Sequence, residues 1–360
     1  MSEAIDKLKG KIPCESTGIT IKKSICTICD PMSQCGMNLY IKEDKIIKVE
    51  GSKEHPRNEG TLCSKGSATR QYVYNADRLK TPLKRVGPKG SDEFVPISWD
   101  EALDTIAHKL NDYKNRFGPE SVAFFCGYTK WLRPFLHRLA YSFGSPNYLT
   151  ESSTCHQATV MAQKLNFGTT TGPDVKNTNC LMVWSSNPFH SNTTLARKIL
   201  GAKDRGMKII TIDPRPTLMA AQADIHLQLK PGTDGALALT MANVIINENL
   251  ADRDFIANYT FGYEEYAQYV QEFTPEKGAS ITGVPADKIK QAARLYAKTK
   301  PAAIMSSAAP VVHHTNGVQN YRAVFSLIAL TGNFDIAGGN LVDPGSFMGV
   351  PAGFKTREDE

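Results

Sequence analysis

Cys180-Leu-Met-Val-Trp-Ser185, Lys208-Ile-Ile-Thr-Ile-Asp213 and Ile225-His-Leu-Gln-Leu229 are short, mostly apolar runs, each ending in a polar residue or turn. The first two lack the apolar–polar alternation of a half-solvated strand, so they suit strands covered on both faces. Helical texture falls between and after them, at 192–205 and 235–248. Strand, helix, strand in this rhythm predicts an α/β fold with a parallel sheet covered by helices. Further helices are expected at 288–298 and 319–330.

Upstream, Ser98 and Glu101 read as a capping box. Leu103, Ile106, Leu110, Tyr113 and Phe117 then recur at helical spacing, and Gly118-Pro119 ends the run. Residues 121–126 read as a short buried strand, with a second helix near 132–143. Met37–Lys42 and Lys45–Glu50, separated by Glu43-Asp44, suit a hairpin. Residues 1–24 read as a loose lead-in, and 338–360 as a stretch without period whose last residues are solvated.

The chain has 360 residues, 41% of them hydrophobic and 22% charged, which suits two or three globular domains and excludes a disordered polymer. Mean hydropathy is −0.31. No apolar run approaches the ~18 residues of a membrane helix, so no membrane span is expected. A net charge of +6, spread along the chain, can attract an anion but does not make a nucleic-acid binder. The start, Met1-Ser-Glu-Ala-Ile-Asp, has neither an apolar leader core nor twin arginines, so a cytoplasmic protein is expected. In such a compartment the eight cysteines point to metal or catalysis before disulfides.

Four of them follow the spacing Cys26-x2-Cys29-x5-Cys35-x27-Cys63. Three thiols on a tight loop and a distant fourth can wrap a compact inorganic core, and soft charged ligands favour iron–sulfur. Zinc is the alternative, although four-cysteine zinc sites usually pair two short knuckles and Cys63 has no near neighbour. Lys65, two residues on, would offset the negative charge of such a cluster, or it is a solvated lysine. Cys126 and Cys180 sit in apolar runs and read as core, whereas Cys14 has no assigned role.

The cysteine set, the Cys63-Ser-Lys-Gly that closes it, Asp77-Arg-Leu-Lys-Thr-Pro-Leu-Lys-Arg-Val-Gly and Ile97-Ser-Trp-Asp-Glu-Ala closely resemble the start of the molybdenum/tungsten bis-pterin oxidoreductases. This is the dimethyl-sulfoxide-reductase-like superfamily. The resemblance runs from about residue 20 to 345. It implies that Cys26, Cys29, Cys35 and Cys63 hold a 4Fe–4S cluster, with Lys65 on the electron path to the pterin.

It also implies a molybdenum or tungsten bis(molybdopterin guanine dinucleotide) held on a Rossmann-like domain. The matching segments are Trp184-Ser-Ser-Asn-Pro, Ile212-Asp-Pro-Arg and Lys230-Pro-Gly-Thr-Asp-Gly. They make Ser185, Asn187, Asp213, Arg215, Gly232, Thr233 and Asp234 the candidate nucleotide contacts. Strand ends of a parallel sheet are where ligands sit, although Asp234 could equally cap the helix at Gly235. No G-x-G-x-x-G is present, which argues against an NAD site. Cys155 matches the position of the protein ligand to Mo or W, and His156 that of a proton acceptor.

On this resemblance the chain divides into a 4Fe–4S domain at 1–78, an α/β catalytic domain at 79–172 plus 310–360, and the Rossmann-like domain at 173–309. The second and third cysteines are five residues apart, where many members have three. Where formate dehydrogenases carry an arginine this chain reads Asp343-Pro-Gly-Ser-Phe-Met, which ranks formate lower among small-molecule substrates. Members are considerably longer and continue into a C-terminal barrel. The expected partner is therefore a companion chain supplying that half, an iron–sulfur electron-transfer subunit, or both. The activity so implied is electron transfer between the metal site and the cluster, polysulfide/thiosulfate-reductase-like or formate-dehydrogenase-like. Two alternatives stand beside it. One is non-redox chemistry of the acetylene-hydratase or transhydroxylase kind; the other is an electron-transfer scaffold lacking the metal pterin.

Overall fold

The computed structural model describes residues 12–29, 34–313 and 315–342. The chain divides into two compact units, one reaching to Glu151 and one beginning at Ser152.

The first unit opens with a three-stranded antiparallel sheet of β1 (Thr20–Ile25), β2 (Gly36–Lys42) and β3 (Lys45–Gly51). The β2–β3 turn forms as expected. Glu43 and Asp44 take φ of 51° and 56°, the left-handed pair whose twist matches a two-residue hairpin. Strand β1 lies inside the segment expected to be a loose lead-in. All six of its residues are exposed, so no burial pattern marks it. Its backbone instead pairs with β2 from Thr20–Ile41 to Ile25–Gly36.

The short helix α1 (Ser64–Ser67) follows Cys63, and β4 (Leu83–Arg85) pairs with β5 (Phe94–Pro96). Helix α2 (Trp99–Phe117) realises half of the expected capping box. The Ser98 hydroxyl accepts from the Glu101 amide at 3.1 Å, but the Glu101 carboxylate takes the Lys84 ammonium at 3.0 Å. Strand β6 (Phe124–Cys126), helix α3 (Arg133–Phe143) and β7 (Tyr148–Thr150) end the unit, with β6 and β7 parallel. The strand expected to be buried is buried on one face only. Phe124 and Cys126 point inward while Phe125 is 62% exposed.

The second unit holds α4 (Gln157–Phe167), β8 (Thr171–Pro173), β9 (Cys180–Trp184), α5 (Thr193–Asp204), β10 (Lys208–Ile212) and β11 (Ile225–Leu227). Then come α6 (Asp234–Asn247), α7 (Ala286–Lys298), β12 (Ala302–Ser306), α8 (Gly317–Leu330) and β13 (Asn340–Val342). Its main sheet runs β11-β10-β9-β12, all parallel. The faces of β9 divide cleanly. Cys180, Met182 and Trp184 join one core with Leu237, Met241, Tyr296 and Phe325, while Leu181 and Val183 join the other with Ile199 and Met219. Helices therefore cover both faces, as the apolar runs require. Strand β12, in Pro301-Ala-Ala-Ile-Met-Ser, lies outside the expected set. It pairs along the whole of β9, from Ala302–Cys180 to Ser306–Trp184. Of the stretch expected to lack period, Asn340–Val342 form β13 and pair with β8, and 343–360 lie outside the described residues.

Candidate functional site

In the first unit, Cys26 follows β1 and Cys35 precedes β2. The Cys26 amide donates to the Cys35 carbonyl at 2.8 Å, which closes the loop that carries Cys29. Cys63 stands in extended backbone immediately before α1. Cys26 is buried, and Cys29, Cys35 and Cys63 are half-buried. The donor set therefore fits a soft inorganic core in its chemistry: four thiols from one small unit. The sulfur atoms are not gathered into a ligand set. Among the described residues no three His, Cys, Asp or Glu side chains stand together closely enough to grip a metal ion, and residues 30–33, between Cys29 and Cys35, lie outside those described. Ligand convergence in such sites is coupled to metal binding. Lys65 projects from α1 and is exposed.

In the second unit, Cys155 lies half-buried in the turn before α4. The Cys155 and His156 amides both donate to the Ser152 carbonyl, at 3.3 and 3.1 Å, which fixes the turn. The His156 side chain makes no capping bond to the helix it precedes.

The sheet order is that of a mononucleotide-binding half, with β12 added on the side of β9 away from β10. The crevice at the C-terminal ends, where the connections diverge, is the ligand position of such sheets. Ser185 turns the chain there with φ 49°, and its amide donates to the Ile212 carbonyl at 2.7 Å. Asn187 follows, ahead of the short helix Pro188–Ser191. Its side-chain Oδ1 is buried and takes no hydrogen bond. A buried carbonyl oxygen left unpaired costs about 1–3 kcal/mol, so this atom fits a group that brings a donor. Asp213, at the end of β10, is also buried. Its Oδ1 accepts the Arg215 amide at 2.8 Å. Arg215 is exposed. The structure thus brings Ser185, Asn187 and Asp213 to the ends of two adjacent strands.

The remaining candidates separate. Gly232 (φ 83°) and Thr233 line a cavity of about 1380 Å³ together with Phe255, Tyr259 and Tyr263, and none of Ser185, Asn187 or Asp213 lines it. The Thr233 hydroxyl donates to the Lys230 carbonyl at 2.7 Å. Asp234 turns into the core, where its Oδ1 accepts the Trp184 indole N–H at 2.7 Å. It opens α6, so its charge also suits the helix N-terminus.

Ser306, at the C-terminal end of β12 and level with Trp184, stands at the same edge of the sheet, and Ser307 follows it. Reading 302–306 as a strand would have found them, but that run is short and two of its five residues are alanine.

The cysteines predicted for thiol burial behave as core. Cys126 is buried, and Cys180 is fully buried with its thiol pushed up to about 12 by burial.

The chain is similar to known proteins. The chain is 36% identical over 317 residues to the alpha subunit of an F420-dependent formate dehydrogenase from Methanocaldococcus jannaschii, spanning 87% of this chain and 46% of that protein. It is 33% identical over 321 residues to the thiosulfate reductase molybdopterin-containing subunit of Salmonella typhimurium, spanning 89% and 42%. The structure of acetylene hydratase from Pelobacter acetylenicus superposes with a TM-score of 0.78 at 33% identity, covering 89% of this chain and 44% of that one. The chain thus spans under half the length of these relatives. The Molybdopterin oxidoreductase Fe4S4 domain matches residues 19–75, which contain all four spaced cysteines, and the Molybdopterin oxidoreductase family matches 78–345, which contain the strand-end crevice. With both matches in the order in which the two regions occur, the chain belongs to the molybdopterin oxidoreductase family.

Proposed function

We propose that this chain is the cluster- and metal-bearing portion of a molybdenum or tungsten bis-pterin oxidoreductase, passing electrons between the metal site and a 4Fe–4S cluster. The observation that carries the reading is the crevice at the ends of β9 and β10, where the buried Asn187 Oδ1 lacks a partner beside Ser185 and Asp213. There Asn187 would accept from the nucleotide, Asp213 would accept through its second carboxylate oxygen, and Arg215 would meet the anionic part. Gly232 and Thr233 would extend this surface. Bound at the crevice, the metal pterin supplies two-electron chemistry. Cys155 would ligate its metal as a thiolate. His156 would hold or release a proton beside it, since an imidazole titrates near neutrality. Cys26, Cys29, Cys35 and Cys63 would hold the cluster, and the Lys65 ammonium would favour its reduced form. The division into parts at 1–78, 79–172 plus 310–360 and 173–309 belongs to the same reading.

A companion polypeptide and an electron-transfer subunit are part of this proposal, in line with relatives that are named as subunits. Among the described residues no helix is long and apolar enough to cross a membrane. The relatives act, by their names, on formate, thiosulfate and acetylene, so likeness does not choose the substrate.

Purification under anaerobic conditions, followed by iron and pterin analysis and EPR of the reduced protein, tests the proposal. Iron and a guanine-nucleotide pterin are expected, with pterin content falling in Asn187→Leu. Reconstituted protein without iron would sink it. The superposition on acetylene hydratase favours a second, non-redox reading. Turnover that persists with the cluster locked in one redox state, without viologen oxidation, would select that reading.

A further inference from the structure

Resting on the cluster reading above, we infer that Asn58 is the positioning residue that brings the distant Cys63 to the loop of Cys26, Cys29 and Cys35. Twenty-seven residues separate Cys35 from Cys63, and the structure shows how that span is folded back. Asn58 is fully buried, in a unit whose first strand, β1, is exposed at every position. Its Oδ1 accepts the Gly36 amide at 2.8 Å. Its Nδ2 donates to the Gly36 carbonyl at 3.0 Å and to the Thr61 carbonyl at 2.8 Å. Gly36 is bonded to Cys35, and Thr61 lies two residues before Cys63. One amide therefore joins the backbone beside the third cysteine to the backbone leading into the fourth.

The neighbouring contacts are built for this approach. The Ser52 amide donates to the same Gly36 carbonyl at 2.8 Å, and the Gly60 amide donates to the Ser52 carbonyl at 2.9 Å. A Cβ on Gly36 would come within 2.5 Å of the His55 side chain, and one on Gly51 within 2.3 Å of the Gly60 carbonyl oxygen. Both glycines are needed because the returning segment lies directly on the strand ends. Only an asparagine-length amide offers an acceptor and two donors in this fixed geometry. Aspartate keeps the acceptor but sets a carboxylate oxygen against two carbonyls, and alanine removes all three bonds. Asn58 acts through the backbone that carries the sulfurs.

The test uses the full chain, reconstituted anaerobically with iron and sulfide. Wild type, Asn58→Ala and Asn58→Asp are compared for iron loss to a chelator and for the EPR spectrum of the reduced protein, with Cys63→Ser as the ligand-loss reference. Both Asn58 variants should release iron about 10- to 100-fold faster than wild type and show altered g-values, with far-UV circular dichroism unchanged. A purely structural role would leave the spectrum of the retained cluster as it was. Wild-type release rates with an unaltered spectrum in both variants would overturn the inference while leaving the cluster reading intact. Wild type that takes up no iron would overturn both. Should neither variant fold, hydrogen exchange of the wild type decides. Protection of the Gly36 amide should rise in step with iron uptake, and an amide insensitive to iron would overturn the inference.

Discussion

Helices α2 and α6 meet opposite fates: α2 carries one apolar stripe on an otherwise polar helix, whereas α6 is apolar on nearly every side. In α6, eleven of fourteen residues are buried, wedged between the sheet and α7, α8 and the helix Pro275–Thr282. In α2, none of nineteen is buried, although Trp99, Leu103, Ile106, Tyr113 and Phe117 form a continuous apolar stripe at helical spacing. The stripe is regular, so periodicity alone does not bury a face. Burial needs a second layer, and the parallel β9–β10–β12 sheet provides one for α6. The two-stranded β6–β7 pair, with Phe125 and Leu149 side by side on its open face, leaves such a layer unbuilt.

The contrast extends to chemistry and can be broken most sharply with thiols. Cys14, in the exposed lead-in, is lowered to about 7 by the hydroxyls of Ser16 and Thr17, whereas burial holds Cys180 at about 12. At pH 7.5, alkylation monitored by peptide mass mapping should label Cys14 faster than Cys180 by several orders of magnitude. Comparable rates would mean that the second unit opens readily. Trp184→Ala removes a fully buried ring and its bond to Asp234 and should destabilise the second unit by roughly 3–5 kcal/mol in urea unfolding. A loss under about 1 kcal/mol would contradict a close-packed core there.

Asn340→Ala should cost about 1–3 kcal/mol, because the Ile304 amide and carbonyl, now paired with the Asn340 side chain at 2.8 and 2.9 Å, lose buried partners. In the first unit, burial raises the Glu151 carboxyl, but hydrogen bonds from Lys130 and Arg133 outweigh it and hold the group below its ordinary 4.5. A carboxyl lowered on folding stabilises above its unfolded value, and that contribution is lost as the pH falls through the folded one. Acid unfolding of wild type should therefore steepen below about pH 4.5 relative to Glu151→Gln; parallel curves would remove the ion pair from the account. The smallest effect is expected at Trp99→Ser. With Trp99 67% exposed, stability should stay within about 0.5 kcal/mol, and a larger loss would show that the stripe is covered.

Much of the second unit could be read directly. Strands β9 and β10 are near-continuous runs of large apolar residues, and such runs have few other uses. Strand β12 escaped because alanine carries little strand preference, and β1 because a strand exposed at every position leaves no pattern. At the crevice, Asn187 and Asp213 were marked out by the family resemblance, helped by their place after apolar runs. The bond between Asp234 and Trp184 could not be read, since the two lie fifty residues apart and nothing local announces the pair.

The sequence by itself determined the residue chemistry: four spaced thiols, the polar residues that end each buried strand, and a helix stripe with its caps. These follow from local pattern and short-range sterics. The tertiary structure alone decided which of these groups meet: that Asn58 ties the span between Cys35 and Cys63, that Asp234 serves Trp184, and that β12 places Ser306 level with Trp184. Such meetings depend on chain closure over tens of residues, and the entropy of closure is repaid only by contacts that no local window contains.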